Sequence, residues 1–386
     1  METLPLVASP IAPSADAHDE GFLIGRPVTG AGSEDVLTAA DPSLRMELSG
    51  TILAGEEYEP VEGRVVVEDG EIAAIEEGPT DSNDIVCPAF VNAHTHIGDS
   101  LAKEAGRGLS LEELVAPPDG LKHRLLREAS RNEKVEAMAR SLSFMESSGT
   151  GAFLEFREGG LKGVEALAEA AAGVDIEPVV FGRGEVDVLE VADGFGASGA
   201  HDADFSRERA AAREAEKPFA IHAGEVDAHD INPALDLDPH YLVHMVHAES
   251  MHLERVEDSE TPVVVCPRSN LATGAGLPPV PDLLERTTVA LGTDNVFLNS
   301  PSMFREMAFT AKLFDVEAPT VLRMATAAGA ELAGLNCGTI TPGREARLFV
   351  LDRDSDNLAG VCDPVRAVVR RAGVGDVRQV HLPPRE

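Results

Sequence analysis

The stretch VCPAFVNAHTH, residues 86–96, has the pattern of a buried strand that ends in two histidines. His94 and His96 are separated by one residue, and side chains two positions apart on an extended strand point to the same face. Both imidazoles can therefore bind one metal ion. A lone histidine at a strand end is more often structural than a ligand, so this reading needs further donors elsewhere in the chain.

Outward from this stretch, short strand-like runs alternate with helical ones. Helical stretches such as Arg131–Ser147, Leu161–Ala172 and Ser206–Ala215 lie between the candidate strands. Repeated strand–helix alternation indicates a parallel α/β fold, and about eight units favour a (β/α)8 TIM barrel, which we assign to residues 89–337. The candidate strands, of which the run at Gly194 is the weakest, are Val91–His96, Ala152–Phe156, Glu177–Phe181, Gly194–Ala197, Phe219–His222, Tyr241–His244, Pro262–Cys266 and Val289–Asp294.

Ionisable side chains recur where these candidate strands end. His222 ends the fifth strand, His244 the sixth and Asp294 the eighth. The carboxyl ends of the strands form the face on which a TIM barrel places its active site. Imidazoles together with one carboxylate suit zinc or ferrous iron, with a coordination position left for water. The sequence therefore predicts one divalent metal ion, Zn²⁺ ahead of Fe²⁺.

The two ends of the chain differ from its middle. Residues 46–88 contain alternating apolar runs joined by Asp69-Gly70, a hairpin turn signal, and residues 338–386 contain short strand-like runs joined by Pro342-Gly343. We expect these two segments to form one small β-sandwich domain. Residues 1–45 are rich in Ala, Pro, Ser, Gly and Asp and show no sustained period, so we expect them to be disordered or to precede the natural start.

The charge of the chain restricts its partners and its compartment. Asp and Glu number 67 against 32 Lys and Arg, a net charge of −35. Such a surface repels itself unless salt screens it, which predicts a halophilic protein in a salt-rich cytoplasm. A basic partner is the alternative, but the acids are spread along the whole chain. Nucleic-acid binding is disfavoured, because phosphates would be repelled.

Two other classes are disfavoured by the composition. No apolar run approaches the roughly 20 residues that a membrane helix needs, so no membrane association is expected. The 4 cysteines are scattered and form no C-x-x-C pair, which argues against a disulfide framework and suits a reducing cytoplasm.

Several segments resemble the amidohydrolase superfamily. Val86–His96 resembles its PG-(F/L)-(V/I)-(N/D)-x-H-x-H segment, with Ala89 where the family usually has glycine. The resemblance covers about residues 47–355 and is more specific to the superfamily than to deamination. The runs that are similar to the branch containing cytosine deaminase, guanine deaminase and triazine hydrolases are Phe219–Glu225, Leu242–His247, Cys266–Leu271, Leu291–Asn295, Ala325–Leu335 and Gly338–Asp352.

This resemblance implies a ligand set. One metal ion would be held by His94, His96, His222 and Asp294. Two-metal members of the superfamily use a carboxylated lysine, or an equivalent bridging group, on the fourth strand, and residues 191–200 contain no lysine. We therefore expect a mononuclear site.

The resemblance also implies catalytic roles for Glu225, His244 and Asp294. Glu225 would move a proton between the attacking water and the leaving nitrogen, and Asp294 can accept the proton that the water loses. His244 would polarise the substrate or orient the nucleophile. His247 lies nearby and competes with His244 for this role; His244 is favoured because it falls at the strand end.

Substrate contacts are expected from Arg268, Asn270 and Asn295, although Arg268 and Asn270 could instead brace the histidine of the sixth strand. The partner is expected to be a small molecule, and homo-oligomer formation stays open. The preferred reaction is hydrolytic deamination of a nitrogen heterocycle such as a nucleobase or nucleoside. Hydrolysis of a cyclic amide or of a chlorine substituent at the same site is the first alternative, and an inactive barrel that serves as a binding module is the second.

Overall fold

The computed structural model describes residues 45–115 and 119–385. The expectation of disorder or of a late natural start for residues 1–45 lies outside the described residues, apart from Arg45. The strands are β1 (Met46–Ala54), β2 (Glu59–Glu68), β3 (Glu71–Glu77), β4 (Ile85–Pro88), β5 (Phe90–His96), β6 (Thr150–Arg157), β7 (Glu177–Gly182), β8 (Gly194–Ala197), β9 (Phe219–Ala223), β10 (Tyr241–His244), β11 (Val263–Val265), β12 (Val289–Leu291), β13 (Asp294–Asn295), β14 (Leu348–Leu351) and β15 (Val377–His381).

Helices follow most of the middle strands. The longest of them begins at a capping box in which Ser130 accepts from the backbone of Glu133 while the Glu133 side chain accepts from the backbone of Ser130. Short 3-10 helices lie at Ile97–Ala102, Val186–Glu190 and Val374–Asp376. The α-helices are α1 (Leu111–Val115), α2 (Leu121–Glu128), α3 (Arg131–Ser147), α4 (Gly160–Ala171), α5 (Ser206–Glu214), α6 (Ile231–Asp236), α7 (Ser250–Ser259), α8 (Pro267–Thr273), α9 (Val280–Leu284), α10 (Met303–Leu313), α11 (Ala318–Met324), α12 (Ala327–Ala333) and α13 (Pro364–Arg370).

The middle strands form one parallel sheet that fits a TIM-like barrel. Its order is β12-β11-β10-β9-β8-β7-β6-β5-β13, and every neighbouring pair is parallel. Because β12 and β13 are consecutive pieces of the predicted eighth strand, the pairing of β13 with β5 brings the last strand back to the first. The weak strand predicted at Gly194–Ala197 is confirmed as β8.

The eighth strand is interrupted where it crosses β5. A Cβ atom added to Gly292 would lie 2.7 Å from the Cβ atom of His94, so only glycine allows the eighth strand to pass this close to β5. The Asn92 side chain secures the crossing, because its Oδ1 accepts from the Thr293 amide at 3.0 Å and its Nδ2 donates to Thr293 Oγ1 at 2.8 Å. This close seam places Asp294 beside the histidines of β5.

A second sheet combines both ends of the described chain. Its order is β15-β14-β4-β1-β2-β3, so strands from residues 46–88 and 338–386 form a single six-stranded sheet. The predicted turn at Asp69-Gly70 joins β2 to β3, and apolar side chains such as Leu48, Val65 and Leu348 pack together on this sheet. The expectation of two stacked layers, a sandwich, stays a prediction.

The buried core supports the site directly. Phe156 belongs to a cluster with Leu154, Tyr241 and other apolar side chains of the barrel strands. Its ring meets those of His94 and His222 edge-on, at centroid distances of 4.7 and 5.0 Å. The imidazoles therefore stand on an apolar, tightly packed base that restricts their rotation. Within the described ranges, no helix has both the length and the apolar character needed to cross a bilayer.

Candidate metal centre and active site

The four predicted ligands lie close together at one point of the barrel. The Nε2 atom of His222 lies 3.2 Å from that of His94 and 3.4 Å from that of His96. Asp294 Oδ1 completes the group, 3.5 Å from His94 Nε2 and 3.6 Å from His96 Nε2. The sequence predicted that these side chains, which come from the three separate strands β5, β9 and β13, share one ion. In the structure they lie within contact distance of one another.

The spacing of these atoms fits a divalent metal ion. With zinc–ligand bonds of about 2.0–2.1 Å, neighbouring ligand atoms lie about 3–3.5 Å apart, and the separations of 3.2–3.6 Å given above are close to this. Asp294 Oδ1 is buried and has no hydrogen-bond donor among the described residues. A bare carboxylate oxygen facing the Nε2 atoms of His94 and His96 is a costly arrangement unless a cation lies between them. The donor set therefore fits a metal of the zinc type.

Groups behind the ligands orient their donor atoms. His222 Nδ1 lies 2.9 Å from the carbonyl oxygen of Ala197, and His96 Nδ1 lies 3.1 Å from that of Phe156, so each Nδ1–H can donate and leave its Nε2 lone pair facing the shared point. Burial lowers the pKa of His96 to about 3 and holds that of His222 well below its ordinary value. Both rings are therefore neutral, which is the form that binds metal.

The carboxylate of Asp294 is held by a different pair of groups. Its Oδ2 accepts from Ser269 Oγ at 2.6 Å and from Asn295 Nδ2 at 2.9 Å, which leaves Oδ1 for the shared point. Burial acts to raise the pKa of Asp294, but its close contact with His94 and the charges of the other imidazoles outweigh burial and hold the pKa well below the usual range. The backbone of Asp294 has φ 56°, a conformation that non-glycine residues rarely adopt.

His244 and Glu225 form the second part of the site. His244 belongs to a cluster with His94 and Asp294 that could hold a metal ion, and its Nε2 lies 3.6 Å from Glu225 Oε2. Burial raises the pKa of Glu225, although His244 opposes the rise. His247, the competing residue, is exposed, so the structure brings His244 and not His247 to the site.

Asn270 fixes the other side of the His244 ring. Its Nδ2 lies 3.0 Å from His244 Nδ1, and with this amide as donor the ring proton stands on Nε2, toward Glu225. The expectation that Asn270 could brace the histidine of the sixth strand therefore matches the geometry. The backbone of His244 has φ 83°, so this side chain, like that of Asp294, enters the site from a strained position.

A cavity of about 420 Å³ opens over these groups. Asn295 is one of its lining residues, whereas Arg268 and Asn270 are not. The Arg268 guanidinium is used elsewhere: Nε donates to Glu306 Oε2 at 2.6 Å and Nη2 to the carbonyl oxygen of Ser300 at 2.8 Å. The substrate contact expected of Arg268 stays a prediction, and in this structure its hydrogen bonds serve the packing of α8 on α10.

Sequence reasoning missed a buried ionic group beside the ligands. Lys122 on α2 is 4 % exposed, and its ammonium lies 2.7 Å from Glu158 Oε1. Glu158 Oε1 also lies 2.9 Å from His96 Nδ1 and 3.4 Å from Arg183 Nη1. Burial acts to raise the pKa of Glu158, but Lys122 and the other cations hold it well below the ordinary value. Neither residue lies in a motif, so no local sequence signal marks this group.

Comparison with known proteins identifies the family. The sequence profile of the amidohydrolase family matches residues 85–380 of this chain. The chain belongs to the amidohydrolase family. A protein of Methanothermobacter thermautotrophicus that is provisionally named an aminohydrolase is 35% identical over 370 residues, covering 84% of this chain and 94% of its own. The 5-methylthioadenosine/S-adenosylhomocysteine deaminase of Halobacterium salinarum is 30% identical over 369 residues, covering 80% of this chain and 84% of its own.

Solved structures share the fold at low sequence identity. A zinc-bound adenosine deaminase from Xanthomonas campestris superposes with a TM-score of 0.73 at 19% identity, covering 87% of this chain and 91% of its own. The zinc complex of an atrazine chlorohydrolase from Arthrobacter aurescens has a TM-score of 0.72 at 18% identity, covering 87% and 93%. The ligand geometry and the family assignment together show that this amidohydrolase is a metal-dependent hydrolase of carbon–nitrogen bonds other than peptide bonds. Its source in a halophile stays a prediction.

Proposed function

We propose that this amidohydrolase is a mononuclear zinc enzyme that deaminates a nitrogen heterocycle, of the nucleobase or nucleoside type, with release of ammonia. One observation carries the proposal: Glu225 Oε2 lies 3.6 Å from His244 Nε2, beside the point where four ligand atoms meet, and burial raises the pKa of Glu225. Relatives that are named as deaminases of an adenine nucleoside support the same class of substrate.

The reaction exchanges an amino group for the oxygen of water. A divalent ion held by His94, His96, His222 and Asp294 would supply Lewis-acid activation of that water at neutral pH. Glu225 takes up the proton that the attacking water loses and passes it to the nitrogen, because an amine leaves a tetrahedral carbon as ammonia only after it is protonated. His244, with its proton on Nε2, donates to the ring atom on which negative charge develops.

The leaving group separates the proposal from its first alternative. The atrazine chlorohydrolase shares the fold, so the barrel and its zinc site are compatible with loss of chloride. Chloride leaves without a proton, whereas an amine does not, and a buried carboxyl with a raised pKa serves the amine. Glu225 therefore favours deamination over chlorohydrolysis. Cyclic-amide hydrolysis also needs a protonated nitrogen, but it opens the ring, and its product has a different mass.

An ammonia-release screen tests the proposal. The protein is purified and assayed in molar KCl, which reduces the Debye length to about 3 Å and screens the acidic surface. The compounds are guanine, adenosine, 5-methylthioadenosine, S-adenosylhomocysteine and a chlorinated triazine, with Zn²⁺ added. We expect ammonia from at least one purine compound with the ring intact by mass spectrometry. Chloride release or ring opening in place of ammonia would reject the proposal, and a protein without metal and without turnover would favour the inactive binding module.

Two matched substitutions show which histidine is used. His244→Gln removes the proposed donor from the site, and His247→Gln changes an exposed histidine three residues later. We expect the first to abolish most of the ammonia release and the second to leave it unchanged. Equal losses in the two variants would reject the role of His244.

A further inference from the structure

Lys122 is a buried cation that the proposed reaction does not use. It lies at the start of α2, in the connection between the first two barrel strands, and is 4 % exposed. Its Nζ lies 2.7 Å from Glu158 Oε1, 3.1 Å from Asn295 Oδ1 and 3.9 Å from Asp99 Oδ2. A buried ammonium is stable only when such acceptors surround it, so α2 is attached to the barrel through this contact set.

Two of these partners also hold metal ligands. Glu158 Oε1 lies 2.9 Å from His96 Nδ1, and Asn295 Nδ2 donates to Asp294 Oδ2 at 2.9 Å. His96 belongs to β5 and Asp294 to β13, the two strands that meet at the seam of the barrel. The Lys122 ammonium therefore contacts two groups, Glu158 and Asn295, and each of them orients a metal ligand on one side of the seam.

The helix that carries Lys122 also belongs to the wall of the cavity. The cavity is lined by Lys122 itself and by Leu111, Glu112 and Val115 of α1, the helix before it. Displacement of α2 would remove part of this wall and, at the same time, the partner of Glu158 and Asn295. The contacts of one ammonium thus join the cavity wall to groups that orient two of the ligands.

We propose that Lys122 is a positioning residue that couples the seating of α2 to the affinity of the metal site. With α2 seated, Lys122 holds Glu158 against His96 and Asn295 against Asp294. With α2 displaced, each ligand loses one of the groups that orient it, and Glu158 is left buried beside fewer cations. Because such coupling is reciprocal, metal binding must also stabilise the seated position of α2.

Hydrogen–deuterium exchange of the unaltered protein tests this reciprocity. The protein is compared in molar KCl with Zn²⁺ and after metal removal by a chelator. We expect Zn²⁺ to slow exchange in α2 (Leu121–Glu128) by more than it slows exchange in α13 (Pro364–Arg370), which lies far along the chain and outside the cavity lining. Equal protection of the two helices, or none in α2, would overturn the proposal.

Substitutions test the role of the side chain. Lys122→Met keeps the length of the side chain without its charge, and Lys103→Met changes an exposed lysine of the same connection. Substitution of groups that orient metal ligands costs about 10–100-fold in metal affinity, so we expect a Zn²⁺ dissociation constant raised by that factor in Lys122→Met and unchanged in Lys103→Met. Competition with a chromophoric chelator measures it.

A double-mutant cycle and a spectrum separate positioning from a general loss of stability. If Lys122 acts through Glu158, then adding Glu158→Gln to Lys122→Met lowers the Zn²⁺ affinity by less than the two single losses predict. The visible absorption of the Co²⁺-substituted Lys122→Met protein must also differ from that of the unaltered protein, because the ligand geometry has changed. Additive losses with an unchanged Co²⁺ spectrum would overturn the proposal, and the exchange experiment decides the case in which Lys122→Met does not fold. None of these measurements requires turnover, so they stand whichever carbon–nitrogen bond is hydrolysed.

Discussion

Gly292→Ala provides a direct test of how the seam of the barrel forms the metal site. The added Cβ atom would lie 2.7 Å from His94 Cβ, 2.8 Å from His94 N and 3.0 Å from His94 O. Carbon atoms in contact are normally about 3.5–4.0 Å apart, so β5 and the eighth strand must separate by about 1 Å. The crowded atoms belong to the backbone or are Cβ atoms, and no side-chain rotation relieves the contact.

The separation must affect metal binding as well as folding. His94 lies on one side of the seam and Asp294, two residues after Gly292, on the other, and metal–ligand distances are held within about ±0.2 Å. We expect a loss of about 1–3 kcal/mol in the free energy of unfolding of the metal-free protein, as for other overpacked sites. We also expect Zn²⁺ to bind at least about tenfold more weakly, which is about 1.4 kcal/mol.

The assay is urea unfolding of the metal-free protein together with Zn²⁺ competition, both in molar KCl. Gly375→Ala is the control, because a Cβ atom there would have no heavy atom within 4 Å. We expect this control to change the free energy of unfolding by less than about 0.5 kcal/mol. A Gly292→Ala protein that binds Zn²⁺ as tightly as the control would refute the idea that the close crossing sets the ligand geometry.

Three further substitutions test separate parts of the site. Glu225→Gln should reduce kcat for ammonia release by about 10²–10⁴-fold with the bound Zn²⁺ unchanged, whereas Glu254→Gln on the exposed side of α7 should leave kcat unaltered; equal kcat values would remove Glu225 from the mechanism. Glu155 of β6 lies beside the strand that carries the first two ligands, where its Oε2 accepts from Thr95 Oγ1 at 2.7 Å, and burial raises its pKa from 4.5 to about 7. Between these pH values the folded chain therefore keeps a proton that the unfolded chain releases. The free energy of unfolding of the metal-free protein, relative to that of Glu155→Gln, should be highest below pH 4.5 and fall as the pH rises through 7. If urea unfolding gives the same difference between the two proteins at every pH from about 4 to 8, this expectation is wrong. Arg268→Met should cost about 3–5 kcal/mol of stability, because Glu306 stays buried without its partner, and Arg268→Met/Glu306→Met should recover most of it; a raised KM at unchanged stability would instead support the substrate contact predicted for Arg268.

Most of the fold could be predicted from periodic patterns within short segments of the sequence. Strand-like runs between helical stretches predicted the parallel sheet, and their bounds agree with the observed strands to within a few residues. The eighth strand differs, since the prediction ran unbroken from Val289 to Asp294 and the structure divides it at Gly292 and Thr293. That break arises from the crossing with His94, a contact between residues almost two hundred positions apart, which no local pattern records.

The metal ligands could be predicted from the sequence for a physical reason that does not apply to the residues that orient them. Parallel strands end at one face of a barrel, so polar residues at strand ends converge there whatever the sequence between them. Lys122 reaches the same place from a helix, and Glu158 from the residue after β6. Their pairing depends on how the first connection folds back over the barrel mouth, and its sequence shows only ordinary amphipathic character.

The run Arg268-Ser269-Asn270 explains how the strained backbone of the site is maintained. Non-glycine residues at positive φ, such as His244 and Asp294, cost on the order of 1–3 kcal/mol each and persist only where other contacts determine their position. Three consecutive residues of α8 supply those contacts: Arg268 joins the helix to α10 through Glu306, Ser269 donates to Asp294, and Asn270 contacts His244. The seventh strand of the barrel contributes no metal ligand. The helix that follows it, α8, instead positions His244 at the end of β10 and Asp294 at the start of β13. This arrangement also accounts for why two residues predicted to touch substrate, Arg268 and Asn270, lie outside the cavity lining: their hydrogen bonds are already directed at the elements that position the reacting groups.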